Sequence, residues 1–336
     1  MRLISRGVSL LPVTLSKNIF SRAATALVVI ILLNMSAVGA SSYAESLPLY
    51  ITGAGAIGAY TTSGAVVNTS LVGGLADPYG VAVSGSDLFV SNSGSNTIGK
   101  YTTSGAVVNP SLITGLSSPT GIAVSGSDLF VVNTGAGTVA KYTTSGALVN
   151  PSLITGLHLP FDIALSGSDL YVLNINDSTG PYGTVGKYTT SGAVVNPSLI
   201  TGLGRPNGIA VSGSDLFVAN ILSGTVGKYT TEGVTVNASL ISGVPGLSDV
   251  AVSLSNLFVL DWNGGSSGRV LEYTTSGAVV NPSLITGLGT PRSIVIESLS
   301  PVPVPAAVWL FGTGLAGLVG IARRQHSIVH SNRRHS

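Results

Sequence analysis

PTGIAVSGSDLFVVNTGAGTVAKYTTSGALVNPSLITGL, residues 119–157, holds four short runs rich in Val, Ile, Leu, Phe and Tyr, separated by Gly, Ser, Asp, Asn and Pro. β-branched and aromatic residues in runs this short, punctuated by turn formers, read as strands. Gly121–Val124, Leu129–Val132, Thr138–Tyr142 and Ala147–Ile154 carry the apolar content. Ser125-Gly126-Ser127-Asp128 and Thr143-Thr144-Ser145-Gly146 have the composition of hairpin turns between them. One unit is therefore a four-stranded antiparallel meander, with strands A to D in chain order.

The unit recurs. Tyr-Thr-Thr-(Ser/Glu)-Gly begins at Tyr60, Tyr101, Tyr142, Tyr188, Tyr229 and Tyr273, a period slightly above 40 residues. A lone meander cannot bury its two faces, so copies must stack, and this period suits the blades of a propeller. Strand A occurs at Gly80, Gly121, Asp162, Gly208, Asp249 and finally in Arg292–Ile296, whereas strand B first occurs at Leu49–Ile51, before any strand A. The chain thus opens with a B-C-D trio lacking an A and closes with an A lacking its trio. Joined, they complete a sixth blade and remove two free sheet edges. The expectation is an all-β, six-bladed β-propeller of four-stranded antiparallel blades spanning residues 45–298.

The string PTGIAVSGSDLFVVNTGAGTVAKYTTSG, residues 119–146, resembles the NHL repeat family, and the likeness runs over roughly residues 47–297. That family usually places an acidic residue after strand B; this chain has Asn92, Asn133, Asn174 and Asn220 there, and an acid only at Asp261. The resemblance implies a propeller used for ligand, glycan or protein contact, with a few enzymatic relatives, and fixes no function by itself.

Both ends read as sorting segments. Residues 1–44 have scattered positive charges, an apolar run from Ala23 to Leu33, and small residues through Ala40 and Ala44, the three-part pattern of a signal peptide. Cleavage after Ala40 or after Ala44 fits, with an uncleaved anchor as the alternative. Residues 299–336 begin with Pro301-Val302-Pro303-Val304-Pro305, a stiff spacer. Ala306–Ala322 follow without a charge, and then Arg323-Arg324. That apolar run is at the short limit for spanning a bilayer, and the arginines would stay on the cytoplasmic side. VPVPAAVWLFGTGLAGLVGIARR, residues 302–324, resembles the Val-Pro-rich variant of the PEP-CTERM sorting tails. The resemblance implies export by a Gram-negative bacterium, with signal peptidase and an exosortase-type peptidase as processing partners. It also implies inner-membrane anchoring through the C-terminal helix, transient or retained, and a cell-surface or extracellular-matrix destination. In this chain Gln325–Ser336 extend beyond the Arg pair, where such tails usually stop.

Charge and composition exclude several functions. Eight of the 15 Lys and Arg lie at the ends, so the segment between Glu45 and Glu297 has seven basic and thirteen acidic side chains. Such a surface repels a phosphate backbone, and nucleic acid is excluded as a partner. Cys is absent, which removes thiolate nucleophiles and thiolate metal sites. His158 is the sole imidazole within the repeats, too few for a histidine-based metal site or a Ser-His-Asp relay. Asp87, Asp128, Asp169 and Asp215 recur at one position and read as turn residues. Lys100, Lys141, Lys187 and Lys228 read as solvated lysines that discourage edge pairing.

Variation among copies points to the surface most free to specialise. The A-B and C-D turns agree from copy to copy; the D-A and B-C links, which share the opposite face, do not. The extra lengths both fall in B-C loops, at Asn174–Gly183 and Asp261–Arg269. These loops supply Asp177, Tyr182, Asp261, Trp262 and Arg269. The D-A links supply Asp77, Tyr79, His158, Phe161, Asp162, Arg205, Asn207, Asp249 and Arg292. Aromatic rings beside Asp, Asn and Arg suit a polar ligand such as an extracellular polysaccharide, or a surface protein. Drift among recently copied blades explains the same variation, and a spacer without ligand is the plainest alternative. No catalytic set and no cofactor is expected. The competing enzymatic reading is a metal-assisted lyase or lactonase whose divalent cation would rest on Asp162, Asp249, Asp261 and Asn207.

Overall fold

The computed structural model describes residues 46–175, 183–263 and 267–297. The expected signal peptide, the sorting tail with Pro303, Pro305, Arg323 and Arg324, and the loop residues Asp177 and Tyr182 lie outside these residues. Among the described residues no helix is long and apolar enough to cross a membrane.

Among the described residues, twenty-four strands form six four-stranded antiparallel sheets, each a meander. Blade 1 starts with strand A at Pro78–Ser84, blade 2 at Pro119–Ser125, blade 3 at Pro160–Ser166, blade 4 at Pro206–Ser212 and blade 5 at Leu247–Ser253. Blade 6 joins the two ends of the repeat region. Strand A is Pro291–Ile296, and it pairs antiparallel with strand B at Pro48–Gly53, which leads into Ala56–Thr61 and Val66–Val72. Leu49 faces Ile296, Tyr50 faces Val295 and Ile51 faces Ile294. The complementary half-blades read from the sequence therefore close the ring as expected.

Strand B is apolar at nearly every position because it is covered on both faces. In LFVVN the side chains alternate between neighbouring blades. Phe130 and Val132 join Ala123 in packing against Ile163, Leu170, Val172 and Tyr188 of blade 3. Leu129 and Val131 turn the other way, onto Ala82, Phe89, Ile98 and Ile113 of blade 1. The same pairing recurs at every junction, giving six hydrophobic clusters for six blade interfaces. Phe89, Phe130, Phe217 and Phe258, with Tyr171, are the bulkiest wholly buried side chains. Burying such a ring is worth about 1.5–3 kcal/mol.

The recurring Tyr-Thr-Thr-Ser-Gly string is a C-D turn that docks onto the neighbouring blade. In blade 3, Gly192 has φ +91°, and its amide donates to the Thr189 carbonyl at 2.9 Å. A Cβ at Gly192 would lie 2.5 Å from the carbonyl oxygen of Leu153, on strand D of blade 2. Both the left-handed backbone and the close approach demand glycine. The equivalent Gly64, Gly105, Gly146, Gly233 and Gly277 each abut the matching leucine carbonyl of an adjacent blade.

Two charge patterns differ from expectation. Asp87, Asp128, Asp169 and Asp215 are the first residues of strands B, and the four lysines lie on strands C, mostly covered. Lys100 reaches Asp87 at 2.8 Å and sits 5.4 Å from the centre of the Phe89 ring. Lys141 and Lys228 repeat the arrangement with Asp128 and Asp215, also at 2.8 Å. The pairs run diagonally across the B-C ladder, so the acids serve as ion-pair partners and the lysines seal the aromatic beneath them. In blade 3 Lys187 also meets Glu232 of blade 4 at 3.0 Å. That bond, the leading cause, holds the ammonium well above its ordinary pKa.

Gly192→Ala is expected to lower unfolding free energy by about 1–3 kcal/mol, the usual size of a forced left-handed backbone combined with a steric clash. Thermal melts against the parent, with Gly156→Ala as reference, check this. Gly156 has φ +72°, but a Cβ there would meet nothing within 4 Å, so only backbone strain applies.

Candidate functional site

The D-A and B-C links meet at one end of the propeller and surround a cavity of about 350 Å³. Its wall combines two columns of the repeat. The residue after the first position of strand A contributes Tyr79, Phe161, Asn207, Ser248 and Arg292; the residue after strand B contributes Ile175, Ile221 and Trp262. Arg205, Leu247, Thr290 and Pro291 complete it. Tyr79, Phe161, Arg205, Asn207, Trp262 and Arg292 belong to the face expected from the sequence. Ile175, Ile221, Leu247, Ser248, Thr290 and Pro291 are additions from the structure. Their signal is present in the repeat: the position after strand B reads Ser93, Thr134, Ile175, Ile221, Trp262, the same variable column.

The aromatic residues are organised, not scattered. Tyr79 and Phe161 meet edge to face, with centroids 5.1 Å apart and planes at 86°. The Arg292 guanidinium lies 5.2 Å from the centre of the Tyr79 ring and reaches Asp77 Oδ1 at 3.4 Å. Burial raises the Tyr79 phenol pKa, with Arg292 and Asn207 acting against it. Arg205 has φ +51°, one of several D-A positions held in the left-handed region before a strand-A proline. Trp262 lines the cavity and is 44% exposed.

Other expected site residues have structural partners. Asp261 is buried and accepts from Arg269 Nε and Nη2, each at 3.0 Å, and from the Asn263 amide at 2.9 Å. This pair ties the B-C hairpin of blade 5 shut. Asp162 and Asp249 lie on strands A beneath the cavity, facing the axis. Asp162 Oδ2 accepts from the Ile209 amide of blade 4 at 3.0 Å, and Asp249 Oδ2 from the Ile294 amide of blade 6 at 2.9 Å. Asn207 Nδ2 donates to the Ser248 carbonyl of blade 5 at 2.5 Å. His158 is exposed and outside the cavity wall. Among the described residues, no three His, Asp or Glu side chains come together in a set that could hold a metal ion.

The axial column of the repeat reads Gly80, Gly121, Asp162, Gly208, Asp249, Ser293. Each aspartate lies beside a glycine: a Cβ at Gly121 would sit 2.8 Å from Asp162 Oδ1, and one at Gly208 would overlap Asp249 Oδ1 outright. The missing side chains make room for the carboxyls. Burial raises the pKa of Asp162 to about 6 despite the Ile209 and Ile163 amides. Asp249 is raised well above the ordinary range, first by burial and then by the charge of Asp162. Beyond them, towards the A-B turns, a second axial space of about 300 Å³ is lined by strand A.

The chain is a closed six-bladed β-propeller with a lined cavity on its variable face. It is similar in fold to a chain of a nidogen/laminin complex, at 17% identity and a TM-score of 0.64, covering 75% of this chain and 98% of that one. It is also similar to a streptogramin B lyase, at 20% identity and 0.55, covering 75% and 94%. A gluconolactonase from Xanthomonas campestris aligns at 16% identity and 0.54, covering 64% and 78%. At these identities the likeness is one of fold. No protein-family model matches the chain, and no curated protein matches it in sequence.

Both axial carboxyls have folded-state pKa values above their unfolded ones, so the folded state binds the extra protons. Their contribution to stability is full below about pH 4 and, for Asp162, is lost as pH rises through about 6; the raised Asp249 acts in the same direction. Melting temperature should therefore fall as pH rises from about 4 through about 6, and Asp162→Asn with Asp249→Asn should flatten that slope. An unchanged slope in the double variant would remove these two residues as its source.

Proposed function

We propose that this chain is an exported, non-enzymatic propeller that holds an extracellular polysaccharide or a surface protein in the cavity of its variable face. The observation that carries the reading is convergence. Six of the fourteen residues chosen because the copies disagree there line one cavity, where they make up half of its wall. Drift has no reason to gather aromatic and guanidinium groups in one concavity while the opposite turns stay uniform.

The binding reading is favoured over the lyase or lactonase reading by what the four candidate ligands already do. Asp162, Asp249 and Asp261 spend carboxylate oxygens on backbone amides or on Arg269, and Asn207 spends its amide on a carbonyl. A cation there would compete with contacts that join blades at Asp162, Asp249 and Asn207, and with the Arg269 pair inside blade 5 at Asp261. The fold neighbours include a lyase and a lactonase as well as a nidogen/laminin complex, so the fold alone favours none of these roles. The NHL-like repeat and the PEP-CTERM-like tail add a contact role and a route to the surface, with signal peptidase and an exosortase-type peptidase as processing partners.

Trp262→Ala should reduce retention of the protein on extracellular polymer isolated from the producing cells by about ten-fold, the scale of losing one aromatic anchor. The check is a sedimentation assay on the purified polymer, with the variant's melt matched to the parent. Equal retention would remove the cavity from the binding surface.

A further inference from the structure

The propeller's basic side chains are few, and nearly all are committed. Lys100, Lys141, Lys187, Lys228 and Arg269 each pair with a carboxylate at 2.8–3.2 Å. Two guanidinium groups remain, Arg205 and Arg292, and both line the same cavity. Arg205 is exposed and makes no side-chain hydrogen bond or ion pair with a described residue. Arg292 touches Asp77 only at 3.4 Å, with both side chains about half open to solvent. Among the described residues, no carboxylate lines the cavity wall, and Asp162 and Asp249 lie beneath it. The segment has almost twice as many acids as bases. Yet among the described residues, the concave surface with aromatic walls is lined by positive charge alone.

Resting on the binding reading above, we propose that the ligand is an acidic saccharide whose uronate carboxylate meets Arg205 and Arg292. A guanidinium presents its N–H donors in a planar fork that matches a carboxylate. Arg292 is already oriented by the Tyr79 ring beneath it, so little freedom is lost when an anion arrives. Trp262, partly exposed in the same cavity wall, supplies an aromatic surface of the kind that packs against the C–H side of a pyranose ring. An acidic peptide would satisfy the guanidinium groups but has no ring to lay on that surface. A neutral glycan would use the aromatic residues and leave the two charges unpaired.

Isothermal titration calorimetry of the full-length chain tests this with four probes of matched length: an oligogalacturonate, a neutral oligoglucoside, a sulfated oligosaccharide and polyglutamate. The oligogalacturonate should bind tightest, and its affinity should fall with added salt. Arg205→Gln should weaken it by about ten-fold or more, the usual loss for a charge-assisted hydrogen bond, while Arg205→Lys should recover part of that loss. Melting curves matching the parent confirm that each variant is folded. Preference for the neutral glycan, with Trp262→Ala still weakening it, would overturn the acidic-saccharide assignment and leave the polymer-binding reading intact. Preference for the sulfated probe or for polyglutamate would also overturn it. If no probe binds while retention on native polymer still depends on Trp262, the acidic-saccharide assignment falls alone. If no probe binds and retention is insensitive to Trp262→Ala, both readings fall together.

Discussion

The inner edge of strand A is the constraint on which the rest of the structure depends. Six such edges converge on the axis, and each offers backbone groups that no fifth strand can pair. The chain meets this need with side chains handed from one blade to the next. Thr52 of blade 6 donates to the Tyr79 carbonyl of blade 1. Ser91 of blade 1 donates to the Thr120 carbonyl of blade 2 at 2.6 Å, and Thr120 to the Phe161 carbonyl of blade 3, also at 2.6 Å. Asp162 then accepts from Ile209, Asn207 donates to Ser248, and Asp249 accepts from Ile294. Every blade junction carries at least one such bond, and the last returns to the blade that began the ring.

This ring explains why chemistry-bearing residues lie at the axis without forming a reactive set. Hydroxyls satisfy carbonyls at three successive junctions and the Asn207 amide does so at a fourth, while carboxyls satisfy amides at the two junctions on either side of that fourth one. Two aspartates are tolerated because each replaces a glycine next to another glycine. They are separated by the blade containing Gly208, so neither shares an oxygen set with a third acid. Their raised pKa values follow from burial, with the charge of Asp162 adding to it at Asp249, and the backbone amides they accept from offset only part of the rise. The cavity above inherits a floor that is polar yet occupied, and its specificity is left to the walls.

The fold is legible in the sequence because its repeated string is a contact as well as a turn. Tyr-Thr-Thr-Ser-Gly stays uniform where glycine touches the adjacent blade, so counting it counts interfaces, and the unmatched B-C-D trio and final strand A locate the closure. The loop face is legible for the opposite reason, since residues there answer to no neighbouring blade. What the sequence hides is anything decided by register between strands or by contact between blades. Asp87 and Lys100 are thirteen positions apart and look like a turn acid and a solvent lysine until the B-C ladder sets them diagonally over Phe89. Asp162 and Asp249 look like candidate ligands until the next blade's amide is found beside each. Ile175 and Ile221 escape notice because apolar residues after strand B resemble core.

Strand D shows how the same logic protects the outer edges. Its valines, such as Val66, Val67, Val107 and Val108, are more than half exposed, and the strand has a free side in every blade. A flat apolar edge of this kind would recruit other chains. Four copies carry proline in the strand, at Pro110, Pro151, Pro197 and Pro282, which removes a donor. Blades 6 and 4 have Thr69 and Ala238 instead, yet their edges bend in the same way. The feature shared by all six is the asparagine before that position, whose Oδ1 accepts from the amide two residues on, as Asn68 does from Ser70 at 3.0 Å and Asn237 from Ser239 at 3.0 Å. The ladder slips at this point in every blade. The asparagine turn, not the proline, is therefore the common device that breaks the edge, and it frees β-branched valines to stabilise an exposed strand without offering a straight template for pairing.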